Sequence, residues 1–307
     1  MIKKEIQLKV PATVANLVCG FDILGMAIHE PYDEMELRLL SDPIIKIKHL
    51  DDFGLPEKAE KNVVGVVLRK IMEHTQMKQG FEVIIKKNIK PGSGLGSSAA
   101  SAAGAAFGAN VLLGKPFSYP QLVYFAIYGE ELASGTRHAD NIAPCIYGGI
   151  TLVKSSRPLD IIPLTSPDLL VTAVHPQVEI KTSDARQILK NKIPLKDAVT
   201  QWGNIAGLIT GILKNDVDLI GRSLNDVVIE PTRSILIPKF SEIKEKSILE
   251  GALGGGISGS GPSIFMLSKK KETAEKIAKI MCEEYRKIGV RQYVYVSKIN
   301  QQGITIL

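Results

Sequence analysis

The stretch Lys90–Leu113, which reads KPGSGLGSSAASAAGAAFGANVLL, limits what this chain can fold into more than any other. Gly92, Gly94 and Gly96 alternate with other residues, so the backbone can turn sharply and approach a ligand where a Cβ would block it. Ser97 or Ser98 can then cap a helix whose first turn leaves N–H groups unbonded and carries about half a positive charge. Such a turn is physically a phosphate cradle. The same residues also read as a tight strand-to-helix connection with no ligand. A P-loop is excluded because no Lys follows Gly96, and a dinucleotide fingerprint because its third glycine position holds Ser97.

Composition narrows the rest. The 307 residues suffice for two domains, and 45% hydrophobic with 23% charged residues is a soluble globular balance. The net charge of +6 suits an anionic ligand. Nucleic acid is disfavoured, because the basic residues are dispersed and the 6% of aromatics are not interleaved with them. Cys19, Cys145 and Cys282 are odd in number and far apart, which argues against disulfides or a zinc site and fits a reducing cytoplasm. The first ten residues alternate like a strand and hold no signal-peptide core. Pro91–Gly114 is uncharged over a bilayer's length, but Ala, Gly and Ser predict a helix packed closely on a sheet, not a membrane span.

Along the chain, Ile6–Val10 predicts a strand ending at Pro11, followed by a turn-rich segment to Asp22. Glu34–Leu40 and Ile44–Lys48 read as an antiparallel pair, Asn62–His74 as a helix capped by Asn62, and Phe81–Lys87 as the strand entering the glycine loop. A helix over Pro120–Leu132 and a strand over Gly148–Val153 follow, with the Pro158–Pro167 stretch as the domain boundary. The second half predicts strands at Leu169–His175, Ser263–Leu267 and Arg291–Ile299. Its helices are Ser183–Lys190, Leu195–Lys214, Leu219–Asp226, Pro238–Glu250 and Glu272–Ile288. The last carries the apolar stripe Ala274, Ile277, Ala278, Met281, Tyr285 and Ile288, with Gly289 as its cap.

Three segments, Pro11–Gly25, Pro91–Ala100 and Gly256–Ser263, resemble the three motifs of the GHMP kinase superfamily in their family order. The phrases Ala15-Asn16-Leu17, Gly20-Phe21-Asp22, His138–Pro144 and Ile229–Arg233 are most similar to its homoserine kinase branch. The resemblance implies a two-domain α+β fold, with an N-terminal unit (1–165) like domain 2 of ribosomal protein S5 and a ferredoxin-like unit (166–307). It implies ATP-dependent phosphorylation of L-homoserine with Mg²⁺ in the cytoplasm, on the route to threonine. It also implies a homodimer.

By the same resemblance, ATP is held by Asn62, Pro91, Gly92, Ser93, Gly94, Leu95, Gly96, Ser97, Ser98, Ala99, Ala100 and Ser101. Asn62 is explained equally by its N-cap position. Ser98 and Glu130 are the implied metal ligands, with the adjacent Glu131 as the alternative. The homoserine carboxylate suits Arg186 and Arg233, aided by His138, and its ammonium suits Asp22. Asn16 and Gly259 complete the substrate set. Asn141 faces the reacting hydroxyl and can orient it but not deprotonate it. Asp140 is expected to point the other way, as neighbours in an extended segment do. Direct attack follows, the proton passing to phosphate or water. Two other readings keep the fold: a kinase for mevalonate, shikimate or a sugar, which would leave Asp22 unused, and a non-catalytic ATP binder.

Overall fold

The computed structural model describes residues 4–180, 182–190 and 192–307. The first half runs β1 (Glu5–Ala15), β2 (Leu24–Leu40), β3 (Ile45–His49), α1 (Val63–Thr75), β4 (Gly80–Lys86), α2 (Ser97–Leu112), α3 (Tyr119–Ser134), α4 (Ile142–Tyr147), β5 (Ile150–Ser156) and β6 (Leu159–Leu164). The second runs β7 (Leu170–Pro176), α5 (Thr182–Gln187), α6 (Leu195–Lys214), α7 (Val217–Ser223), α8 (Glu230–Arg233), α9 (Phe240–Leu249), β8 (Gly254–Ile257), β9 (Ile264–Ser268), α10 (Lys271–Lys287) and β10 (Gln292–Lys298). A final strand, β11 (Thr305–Ile306), returns to pair with β1. The alternation read in residues 1–3 lies outside the described residues.

Seven strands form the first sheet, with β11-β1-β2-β4-β3 in order and β5 joining β2 to β6. Two expectations fail here. The strand through Ile6–Val10 does not stop at Pro11 but continues to Ala15, because a register shift between Pro11 and Ala12 accommodates the missing N–H. Nor does β3 pair with β2. Both edges of β2 are taken by β1 and β4, so β3 lies parallel to β4 on its outer edge. The proline-rich stretch before residue 167 contains β6, the strand of the first sheet that precedes the second sheet's β7.

The second sheet is antiparallel in the order β10-β7-β9-β8, so its strands stand fourth, first, third, second. That is the ferredoxin-like order. The apolar stripe of α10 buries Ala274, Ile277, Met281 and Tyr285, but Ile288 is 41% exposed because it sits beyond the last helical turn. The sheets are tied together where Ile28 bridges Ile299 and the Glu30 N–H donates to Ser297 Oγ.

Helix α2 is the central pillar, and its small residues explain how it fits. Almost every side chain is buried, whichever way it points. An added Cβ at Gly104 would lie 3.0 Å from Met35 of β2, and one at Gly108 would lie 2.6 Å from Leu37. No helix among the described residues is long and apolar enough to cross a membrane.

A buried ion pair anchors the entrance to α2. Lys87 Nζ donates to Asp33 Oδ2 at 2.5 Å, Ser97 O at 3.0 Å and Ser101 Oγ at 2.9 Å. The other Asp33 oxygen accepts from the N–H groups of Asn88 and Ile89. Both side chains are buried, and together they fix both ends of the glycine loop. Lys87→Met leaves the Asp33 charge buried and unpaired, and should cost about 3–5 kcal/mol in urea unfolding. A second change, Asp33→Asn, which removes the charge but keeps Oδ1 for the Asn88 and Ile89 N–H groups, should restore part of it; a loss under about 1 kcal/mol for Lys87→Met would refute the anchoring role.

Candidate active site

The glycine loop carries a left-handed backbone at Gly92, Gly94 and Gly96, with φ of 73°, 80° and 69°. Two of these positions also lack room for a side chain. A Cβ on Gly94 would lie 2.6 Å from Ser258 O, and one on Gly96 would lie 2.0 Å from Thr13 Oγ1. The carbonyls of the loop are taken by the second glycine-rich segment. Ser263 Oγ donates to Ser93 O at 2.6 Å, and Ser258 Oγ to Gly94 O at 2.7 Å. Neither expected serine caps α2: Gly96 occupies the N-cap in left-handed geometry. Ser97 Oγ donates instead to Ile89 O at 2.7 Å, and Ser98 Oγ to Glu130 Oε2 at 2.8 Å.

This loop forms one wall of a cleft of about 430 Å³. Residues from both halves line it: Asn16, Asp22, Asn62, Ser98, Glu130, His138 and Asn141 from the first, Arg186, Arg233 and Gly259 from the second. Pro91, Gly92, Ser93, Gly94, Gly96, Ser97 and Ser101 line it too. Leu95, Ala99 and Ala100 do not; all three are 1% exposed and face the core. The Ala100 N–H is already bonded to Gly96 O, so it has no donor for a phosphate.

In one wall of the cleft, Asn62 is the N-cap of α1. Its Oδ1 accepts from the Val64 N–H and its Nδ2 donates to Pro56 O, beside His49 Nε2 at 3.1 Å. The side chain therefore shapes the wall that His49, Leu55, Pro56 and Lys61 share. Glu130 and Glu131 separate clearly. Glu131 is half exposed and pairs with Arg137 at 2.9 Å, whereas Glu130 faces Ser98. Burial holds the Glu130 carboxyl above its ordinary pKa, against the bonds from Ser98 and Ser134.

One end of the cleft is charged. Asn16 and Asp22 both sit in left-handed turns, φ 74° and 62°. Asn16 spans the cleft by donating from Nδ2 to Gly259 O at 2.8 Å, and its Oδ1 accepts from the Asp22 N–H. It positions Asp22 and Gly259. Arg186 Nη2 donates to both Asp22 oxygens, at 2.9 and 3.0 Å, and to His138 Nε2 at 2.9 Å. Burial and the two arginines lower the His138 pKa against the pull of Asp22, which suits a neutral ring accepting at Nε2. Arg233 is tied to Ala185 O and Gly259 O, and the guanidiniums of Arg186 and Arg233 lie 5.3 and 4.9 Å from the centre of the Phe21 ring. The Nε of Arg186 is buried without a hydrogen-bond partner among the described residues. Cys19, read as a small hydrophobe, is 1% exposed.

Asn141 and Asp140 correct an expectation. The segment is not extended, since Asn141 has φ −92° and ψ −39° at the start of α4, and both residues line the cleft. Asn141 Oδ1 accepts from Thr13 Oγ1 at 2.7 Å. Asp140 is buried, and burial with the nearby Asp22 and Glu130 charges raises its pKa to about 7. Thr13 and Lys87 were not anticipated: Thr13 reads as part of the turn-rich segment and Lys87 as the end of a strand, and only the folded chain sets Thr13 against Leu95 and Asn141 and Lys87 in the cleft wall.

The GHMP kinases N-terminal domain family matches residues 62–149, and the GHMP kinases C-terminal family matches residues 208–287. Over 96% of its length the chain is 46% identical to the homoserine kinase of Chlorobium phaeobacteroides, covering 97% of that protein. It is 40% identical to the homoserine kinase of Methanococcus maripaludis, over 95% of this chain and 98% of the relative. The crystal structure of homoserine kinase from Cytophaga hutchinsonii superposes with a TM-score of 0.96 at 47% identity, covering 100% of this chain and 98% of that one.

Because the folded state favours protonated Asp140, more protons are bound folded than unfolded between the ordinary carboxyl pKa and about 7. Asp140 therefore costs stability increasingly as pH rises through that window. Asp140→Asn should stabilise the fold at pH 8, by at most about 4 kcal/mol, and lose this advantage near pH 4. Thermal unfolding at both pH values measures it; a pH-independent difference would contradict the assignment.

Proposed function

The chain belongs to the homoserine kinases of the GHMP kinase family, and we propose that the cleft between its two halves is the site of their reaction. The protein transfers a phosphoryl group from ATP to the side-chain hydroxyl of L-homoserine, giving O-phospho-L-homoserine and ADP, in threonine biosynthesis. Residues 1–165 hold the nucleotide and residues 166–307 close the cleft, with work expected in the cytoplasm.

One observation carries the placement: Asp22, Arg186 and Arg233 bring both signs of charge to one end of the cleft, as a zwitterion requires. The substrate carboxylate takes the guanidiniums, including the unpartnered Arg186 Nε, and its ammonium takes Asp22. Burial and, after it, the nearby Arg186 pull the Arg233 pKa down, so an anion between the two arginines is favoured. At the other end the glycine loop and the first turn of α2 receive the phosphates. Ser98 and Glu130 fit a magnesium ion, being two hard oxygens that leave room for phosphate and water oxygens. When bound, that ion supplies neutralisation of the phosphate charge. Asn141, held by Thr13, orients the attacking hydroxyl. The hydroxyl attacks directly and its proton leaves to phosphate or water.

An ADP-release assay with ATP and Mg²⁺ should show turnover with L-homoserine and none with mevalonate, shikimate or galactose. Asp22→Asn and Arg186→Met should each raise the homoserine KM about 30- to 100-fold, equivalent to about 2–3 kcal/mol, with the ATP KM changed less than about twofold. Equal effects on both KM values would remove the zwitterion assignment. Asp140→Asn should leave kcat within about threefold; a fall of about 100-fold with intact binding would instead make Asp140 the proton acceptor.

A further inference from the structure

An Asn at a helix N-cap ordinarily accepts a backbone N–H of the first turn with its side chain. Asn141 holds that position in α4 and makes no such bond. Its Oδ1 accepts instead from Thr13 Oγ1 at 2.7 Å, from a residue 128 positions earlier in the chain. Thr13 is 1% exposed and does not line the cleft, whereas Asn141 does. The bond lies against the glycine loop, since a Cβ on Gly96 would fall 2.0 Å from Thr13 Oγ1 and 3.1 Å from Asn141 Oδ1. The Thr13 N–H donates to Leu95 O at 3.1 Å. One residue of β1 therefore grips the loop through its backbone and the Asn141 amide through its side chain.

The direction of the Thr13 bond decides what Asn141 can offer a ligand. Thr13 Oγ1 has no other hydrogen bond among the described residues. Turning the amide over would leave the proton of a buried hydroxyl unbonded, which is costly. With Oδ1 engaged, Nδ2 is the unpartnered end of the amide among the described residues, and the cleft is the space left to it. We propose that Thr13 is a positioning residue: its hydroxyl fixes the polarity of the Asn141 amide, so that Nδ2 donates to the attacking oxygen of the substrate. The inference rests on the placement of Asn141 at the reacting hydroxyl. A donor there takes one lone pair of that oxygen and leaves the other free to attack the γ-phosphorus. As the new O–P bond forms, the bond from the γ-phosphorus to the bridging oxygen breaks and its electron pair leaves on ADP. The hydroxyl proton passes to phosphate or water, because Asn141 presents no acceptor to it.

Steady-state turnover of ATP and L-homoserine tests this. Thr13→Val keeps the branched shape and the backbone bond to Leu95 but removes the hydroxyl. Its kcat should fall about 10-fold, with both KM values within about twofold of the wild type. Thr13→Ser, which retains the hydroxyl, should recover most of that kcat. In an Asn141→Ala background, Thr13→Val should cost less than about twofold more, because its effect runs through the amide. Asn141→Asp, which offers no donor when ionised, should be no more active than Asn141→Ala. Three results overturn the proposal: an equal Thr13→Val loss in the Asn141→Ala background, a loss carried by the ATP KM, or an Asn141→Asp more active than Asn141→Ala. The two Asn141 variants decide the matter even where Thr13→Val does not fold. A wild type inactive on L-homoserine sinks the catalytic reading and this inference with it. An active wild type matched by Thr13→Val sinks the inference alone.

Discussion

Two serine hydroxyls of the second half, Ser258 and Ser263, are bonded to carbonyls of the first, those of Gly94 and Ser93. The rest of the site depends on this interlock. A glycine loop is floppy by composition, and its usefulness as an anion cradle requires the carbonyls to be held away from the ligand. Here the holding groups come from a segment more than 160 residues later in the chain. The loop therefore has its working shape only when both halves are folded and joined. Asn16 repeats the principle across the same seam by bonding to Gly259 O.

Electrostatics divides the cleft into two ends. Near α2 the positive partial charge of a helix terminus meets the half-buried Ser98–Glu130 pair. At the other end Asp22 is shared between Arg186 and the neighbourhood of His138. Asp140 lies within the influence of both Asp22 and Glu130. A charge arriving near either carboxylate thus alters the protonation balance at Asp140.

Local chemistry was legible in the sequence, whereas placement across the sheet was not. The left-handed glycines, the Asn62 cap and the α6 boundaries follow from residue types alone, since each is decided within a few residues. The pairing of β3 with β4 depends on which strand edges remain free, which no local pattern encodes. The roles of Ser97 and Ser98 changed for a similar reason: their partners, Ile89 O and Glu130, reach them only through tertiary packing. Thr13 looks like a turn residue and Lys87 like the end of a strand until the tertiary fold sets them beside the loop. Asp140 was misjudged because an extended backbone was assumed where the chain enters α4.

The return of β11 to β1 has a bearing on biosynthesis. The first sheet is built from the earliest part of the chain, yet the outer edge of β1 is covered by Thr305 and Ile306, with the Leu307 N–H bonded to Gln7 O. During translation that edge stays open while the entire second half is made. An unpaired strand edge is a template for wrong partners, so the nascent chain carries this exposure until its last strand emerges from the ribosome.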